Sequence, residues 1–358
     1  MRDRIANGAI TENCSIRRVL VRLPAVRLAR RLALRVIALS CAIATLLASG
    51  ADAHADPSTT TIAQGYELGE TQHPRSIAMG SANQVFGGST SAIYGNPANL
   101  PLYRIYHVEA LGGFSPEARR QMYGAAIADS STSRLAGGFG GSWSQMDPDG
   151  IKRNTTDLRL SLAYPLGDRF SLGLTGRYIR VGQRVSSGPF GASYASDGTK
   201  DEPLVSEFTI DAGAGFQVTE NVRIGLTGKN LTAPGTALIP LILAGGIGYS
   251  NGTFTLEANA HADFTTWGSA RGRYMLGGEY LIADRFPVRL GYRYDDGFKA
   301  HSIGLGAGYV DRRFSVELGG RRDIVADYPA TMISLGLRFF IDNGGATGSD
   351  SGDGGGGI

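Results

Sequence analysis

After residue 55 this chain has no apolar run long enough for a membrane-crossing helix; what it repeats instead is the two-residue period of a β-strand. From Phe170 to Tyr178, the residues Phe170, Leu172, Leu174 and Tyr178 fall on one face, while Ser171, Thr175 and Arg177 fall on the other. Phe254, Leu256, Ala258 and Ala260 oppose Thr255, Glu257, Asn259 and His261 in the same way. Val288, Leu290, Tyr292 and Tyr294 oppose Arg289, Gly291, Arg293 and Asp295; Phe314, Val316 and Leu318 oppose Ser315, Glu317 and Gly319. Ile333, Leu335, Leu337 and Phe339 oppose Ser334, Gly336 and Arg338. Each segment is about the 9–11 residues that cross a bilayer as a tilted strand. Segments start near Tyr103, Gln121, Arg134, Thr156, Arg169, Pro203, Asn221, Leu241, Gly252, Arg271, Phe286, Lys299, Phe314 and Ala330, which makes fourteen. An even number returns the chain to the side on which it began.

The connections alternate in kind. Asp129–Ser133, Gly167-Asp168, Thr219-Glu220, Ser250–Gly252, Ala283–Arg285 and Asp311–Arg313 are tight. Met146–Thr155, Val185–Glu202, Leu231–Ala237 and Arg321–Tyr328 are longer and more polar. Short periplasmic turns and longer outer loops are the arrangement of an outer-membrane barrel, whereas a Greek-key sandwich has no need of it. The expected fold is therefore all-β: a transmembrane antiparallel barrel of about fourteen strands. A charge facing lipid near the bilayer midplane costs on the order of 2–4 kcal/mol, so the polar faces must turn inward. They carry Arg159, Arg177, Arg223, Lys229, Arg273, Arg289, Arg293, Arg321 and Arg338 against Glu207, Asp211, Glu257, Asp263, Glu279, Asp295 and Glu317. Mixed signs predict an ion-paired lumen rather than a one-sign selectivity filter.

Composition and termini agree with export. The 358 residues include 52 glycines, and the net charge of +3 leaves no basic face for nucleic acid. Arg17, Arg18, Arg22, Arg27, Arg30, Arg31 and Arg35 precede an apolar run, Val36–Ala48, and a small-residue site, Ala53-His54-Ala55. Residues 1–55 read as a signal peptide cleaved after Ala55. Both cysteines, Cys14 and Cys41, lie within it, which leaves the exported chain without a thiol. Residues 342–358 form a Gly/Ser/Asp tail.

Residues 56–102 do not alternate. Small residues dominate Arg75-Ser76-Ile77-Ala78-Met79-Gly80-Ser81-Ala82 and Ser91-Ala92-Ile93-Tyr94-Gly95-Asn96-Pro97-Ala98-Asn99-Leu100, as suits a segment packed closely inside a pore or, equally, a loop passing beneath the barrel. The Arg75, Met79, Gly80 element followed by Asn96, Pro97, Ala98, ahead of fourteen strands, resembles the N-terminal plug of the FadL-like superfamily, which includes long-chain fatty-acid transporters and the related PorV/PorQ proteins of secretion systems. The acidic pair that many relatives carry between the two elements is replaced here by Gly87-Gly88-Ser89-Thr90. The resemblance implies a hatch in the lumen, a hydrophobic ligand captured from outside, contact with outer-membrane lipids, and exit sideways at a kinked third strand. That strand here holds Gly137, Gly138, Gly140 and Gly141, a candidate lateral opening; the other reading is that these glycines let plug and wall pack.

No cofactor or catalytic group is expected. Asp147-Pro148-Asp149-Gly150 and Asp295-Asp296-Gly297 lack the further oxygens of a calcium loop, and nothing pairs His107, His261 or His301 with a serine. The sequence thus points to a plug-gated channel or transporter for hydrophobic small molecules. The alternative is a PorV-type barrel that binds a secretion-system protein partner, and a closed structural barrel is a third reading. The lumen network of Arg177, Arg223, Glu257, Glu279, Arg289, Arg293 and Glu317 is expected to hold the plug.

Overall fold

A computed structural model describes residues 73–147, 151–185, 203–232, 238–267, 269–327 and 329–341. The expected signal peptide 1–55, the first part of the plug (56–72) and the tail 342–358 lie outside the described residues. Fourteen strands follow one another: β1 (Tyr106–Ser115), β2 (Arg120–Asp129), β3 (Ala136–Met146), β4 (Ile151–Leu166), β5 (Phe170–Val185), β6 (Pro203–Gln217), β7 (Val222–Lys229), β8 (Ile242–Ser250), β9 (Phe254–Asp263), β10 (Arg271–Ile282), β11 (Phe286–Asp295), β12 (Ala300–Val310), β13 (Phe314–Val325) and β14 (Thr331–Phe340). Each pairs antiparallel with its sequence neighbours, and β1 pairs with β14 from His107↔Phe340 to Phe114↔Ile333, so the sheet closes. Closure leaves no free edge, which the hydrocarbon interior would not tolerate.

The alternation read from the sequence sorts side chains as expected. Leu160, Leu174, Leu226, Ile247 and Leu290 stand exposed on the outside, while Arg159, Arg177, Glu257, Arg289 and Glu317 are buried inside. Exposed aromatics gather near the two rims. Tyr164, Phe216, Tyr249, Phe254, Tyr280, Phe314 and Phe339 lie near the short turns; Phe114, Tyr123, Trp143, Phe208, Tyr274 and Tyr292 lie toward the other end. An apolar band between two aromatic girdles is the outer surface of a membrane-spanning barrel.

Some boundaries differ from expectation. β1 starts at Tyr106, because the chain up to Leu102 is still wound as a 3-10 helix. Residues expected in the loops Met146–Thr155 and Arg321–Tyr328 are partly strand: β4 begins at Ile151, and β13 runs to Val325 because Asp323 is held opposite Ser302 in the ladder. Arg153, Thr155, Arg321 and Asp323 are buried there, but Lys152, Asn154 and Arg322 between them are polar too, so the alternation fades although the strand continues. The long connections therefore cluster between β5 and β10, where 186–202, 230–241 and 264–270 separate the strands.

The lipid-facing assignment has a direct test. Leu174→Arg, which puts a cation on the outer face of β5, is expected to lower unfolding stability in lipid vesicles by about 2–4 kcal/mol in urea titration. An unchanged midpoint would place Leu174 away from lipid.

Candidate functional site

Residues 73–102 fill the lumen. Helix α1 (Pro74–Ala78) is capped by His73, whose Nδ1 accepts from Arg75 N–H (3.2 Å), and Pro74 occupies the first turn, where its missing N–H costs nothing. Burial pushes the His73 imidazole below its ordinary pKa. After α1 the chain reverses through Gly80 and Ser81, both at positive φ. A Cβ on Gly80 would also sit 2.7 Å from the Tyr292 backbone, so the glycine of the first motif is required twice over. Helix α2 (Thr90–Tyr94) and the 3-10 helix (Pro97–Leu102) follow.

The second motif is a bracket between plug and wall. Asn96 is fully buried; its Oδ1 accepts from Ala98 N–H (3.1 Å), and its Nδ2 lies 3.0 Å from Gln84 O and 3.2 Å from Ala214 O in β6. Pro97 lies against Gly173 of β5, and Ala98 is fully buried. Asn99 donates to the same Gln84 carbonyl (3.0 Å) and accepts from Arg223 of β7 (3.2 Å). The pattern of small and polar residues in the sequence thus corresponds to backbone groups satisfied without water.

Glycines of the wall receive this segment. A Cβ on Gly291 would stand 2.0 Å from Met79, on Gly277 2.7 Å from Met79, on Gly319 2.2 Å from Pro74 and on Gly225 2.1 Å from Gln84. Met79 itself is fully buried with Ala82 and Met275. Of the four glycines in β3, Gly138 and Gly140 face inward onto Ile93 and Tyr94, whereas Gly137 and Gly141 lie beside Leu162 and Leu158 outside. β3 pairs with β2 and with β4 along its length, from Gly137↔Asp129 to Gln145↔Gln121 and from Ala136↔Ala163 to Met146↔Arg153, without a register shift. The kinked opening expected at β3 is absent from this structure; its inward glycines make room for α2.

Charge completes the seat. Arg75 of the plug approaches Glu279 (3.4 Å), which pairs with Arg289; Arg289 reaches Glu317 (3.3 Å), Glu317 pairs with Arg338 (3.2 Å), Arg338 with Glu109 (3.0 Å), and Glu109 with His73 (2.7 Å). The relay leaves the plug at Arg75, takes one residue from each of β10, β11, β13, β14 and β1, and returns to the plug at His73. Glu257 accepts from the N–H groups of Val85 (2.8 Å) and Phe86 (3.2 Å). A second cluster joins Asp157 to Arg159 (2.8 Å) and Arg177 (2.9 Å), and the Arg159 guanidinium lies over the Tyr94 ring at 5.2 Å. Removing one member of such a buried pair typically costs about 3–5 kcal/mol, because the other is left charged and dry.

All seven predicted lumen residues point inward: Arg177, Arg223, Glu257, Glu279, Arg289 and Glu317 hold the networks above, and Arg293 lines a cavity with Lys229, His261 and Arg273. That cavity, about 40 Å³, is room for a few waters and far below the roughly 300 Å³ of a small-molecule pocket. Glu207 is the exception. It stands opposite Ile179 on the inward side, yet it is exposed, because β6 there has no paired strand beyond it. Sequence reasoning missed His73, Glu109 and Asp157, and it offered the packing of plug against wall glycines only for β3, not for Gly225, Gly277, Gly291 and Gly319. The available signal was glycine at inward positions two apart, as at Gly138 and Gly140 or Gly304 and Gly306. Among the described residues no group of acidic, histidine or cysteine side chains has the arrangement of a metal site.

These features define a closed, antiparallel β-barrel of fourteen strands with the outer surface of an outer-membrane barrel and residues 73–102 packed inside it. No family model and no curated protein matches the sequence. Solved structures do. The chain is similar to the CymD monoaromatic hydrocarbon channel (TM-score 0.59, 14% identity, over 75% of this chain and 96% of that one). It is similar to a Pseudomonas aeruginosa FadL homologue (0.54, 14%, over 75% and 98%) and to the Ralstonia pickettii toluene transporter TbuX (0.52, 15%, over 76% and 98%). At such identities the likeness is one of fold alone.

Gly291→Val is expected to leave the barrel assembled but unseat the plug, read as new protease cleavage within residues 73–102. Gly278→Val in the neighbouring strand is the control, since the nearest atom to its Cβ would lie 4.0 Å away. Equal protection of both variants would show that the seat does not need glycine.

Proposed function

We propose that this protein carries hydrophobic small molecules across an outer membrane, with segment 73–102 as the gate. The observation that carries the reading is that residues 73–102 lie buried inside the barrel and are held to its wall through side-chain contacts. Among the described residues every hydrogen bond between plug and barrel uses a side chain on one side, so the plug is displaceable without breaking a strand ladder. The solved neighbours support the substrate class, because CymD is a monoaromatic hydrocarbon channel and TbuX a toluene transporter. Export and removal of residues 1–55 belong to the same proposal. Long-chain fatty acids and monoaromatic hydrocarbons are both within the class, and the apolar outer band of the barrel suits delivery of either into lipid. The PorV-type alternative has no support among these neighbours.

The test is uptake of radiolabelled oleate and radiolabelled toluene by cells that lack their own transporter. Cells carrying the assembled barrel are expected to take up at least one of the two faster than cells carrying an empty vector. Equal rates for both probes, with the barrel present in the membrane, would contradict a hydrophobic transporter.

A further inference from the structure

In the relay and in the Asp157 cluster, cations and carboxylates alternate. The cavity between plug and wall departs from that pattern. Lys229 of β7, Arg273 of β10 and Arg293 of β11 line it together with His261 of β9, and among the described residues around it none is a carboxylate. The register brings them together: Arg273 stands opposite His261, and Arg293 stands opposite Met275 on the next inward rung. Lys229 is the last residue of β7 and Arg273 lies near the start of β10, so the cavity sits toward the outer end of the lumen. Asp295 pairs with Arg273 at 2.7 Å and Lys229 Nζ donates to Tyr94 O (3.2 Å), which holds both cationic heads in place.

The plug presents the complementary chemistry. Asn83 and Gln84 line the same cavity; they are 4% and 1% exposed, and the side-chain carbonyl of each is buried without a hydrogen-bond partner among the described residues. Asn83 Nδ2 donates to Ser91 O (3.2 Å), which fixes the orientation of that amide and leaves Oδ1 as the end that needs a donor. A buried acceptor is costly to leave unmet. The wall therefore calls for negative charge and the plug for an O–H. Chloride, sulfate and a carboxylate head group offer only the first, whereas hydrogen phosphate and bicarbonate offer both. The cavity, about 40 Å³, has the volume of a few waters and so of one such ion.

We propose that a small oxyanion bearing its own hydroxyl, of the hydrogen phosphate or bicarbonate class, binds between plug and wall at the outer end of the lumen. Lys229, Arg273 and Arg293 hold its charged oxygens, and Asn83 and Gln84 accept from its hydroxyl. Because the two halves of the site belong to different parts of the chain, the bound ion ties the plug to β7, β10 and β11 and leaves before the plug can move. Binding stands apart from the transporter reading; within that reading the ion is a latch on the gate.

The experiment uses the whole chain, purified in phosphate-free detergent and shown to be an assembled barrel by heat-dependent gel mobility, as is each variant. Equilibrium dialysis with radiolabelled inorganic phosphate is expected to show saturable binding, displaced by bicarbonate and not by chloride, sulfate or octanoate at the same ionic strength. Gln84→Glu, which sets a carboxylate where the hydroxyl is accepted, and Lys229→Gln, which removes a cation, are each expected to weaken binding about tenfold or more. Gln145→Glu, on the outer face of β3, is the control and is expected to bind as the unmodified protein does. Phosphate is also expected to slow protease cleavage within residues 73–102 of the unmodified protein and not of Gln84→Glu. No saturable binding by the assembled barrel, or binding that both lumen variants retain, overturns the proposal. So does displacement by sulfate or octanoate as readily as by bicarbonate, since the first would make the hydroxyl irrelevant and the second would give the site to the head group of an amphipathic solute. None of these readouts involves uptake, so the transporter reading fails or stands separately.

Discussion

Everything in this molecule follows from the pairing of β1 with β14. Hydrocarbon offers no partner to a backbone N–H or C=O, so a chain that crosses a bilayer in strands must close the ladder on itself. His107↔Phe340 through Phe114↔Ile333 performs that closure. Once the ring is shut, each strand has one face in lipid and one in the lumen, and the two-residue period fixes which side chain goes where. The lumen then collects the arginines and glutamates, and their charges must be neutralised inside it. They neutralise one another in the relay from Arg75 to His73, and both ends of that relay belong to the plug.

The relay holds the plug in position more than it adds stability. Buried ion pairs recover roughly what their desolvation costs, but breaking one is expensive, so a plug shifted by a residue would strand charges along several strands. Close packing works to the same end. With Met79 against Gly277 and Gly291, and Pro74 against Gly319, the backbone of the plug rests on the backbone of the wall, and no rotamer is free to accommodate a slip. The seat is specific, and it is made of contacts that separate without unfolding the barrel.

The strands were legible in the sequence because alternation is local. Fourteen alternating segments stand in the sequence, and most of their boundaries fall within a few residues of the observed strands. The exceptions, Ile151–Thr155 and Arg321–Val325, are polar strand ends whose inward and outward faces both carry hydrophilic residues, so the period is lost there. The inward orientation of Arg177, Glu257 and Arg289 was legible for the same reason. The seat was not, since Gly291 meets Met79 across more than two hundred residues of sequence and no local pattern announces such a contact. The glycines of β3 show the limit well: their spacing is equally compatible with a weakened strand and with a strand against which Ile93 and Tyr94 pack, and only the three-dimensional register distinguishes the two. Asn230 is a further case. Nothing around it in sequence marks the end of β7 as different from any other strand end, yet its positive φ turns the chain out of the ladder, so that β6 pairs with β7 only from Ala212 onward.

Closure of the lumen, in the proposed function, rests on segment 73–102. The measurement that reaches it most directly is single-channel conductance in planar bilayers for the whole chain and for a chain lacking residues 73–102, each first shown to be an assembled barrel by its heat-dependent gel mobility. A silent whole chain and a steady aqueous conductance in the shortened one are predicted. Equal conductance in the two, open or closed, would contradict a lumen shut by its own N-terminal segment.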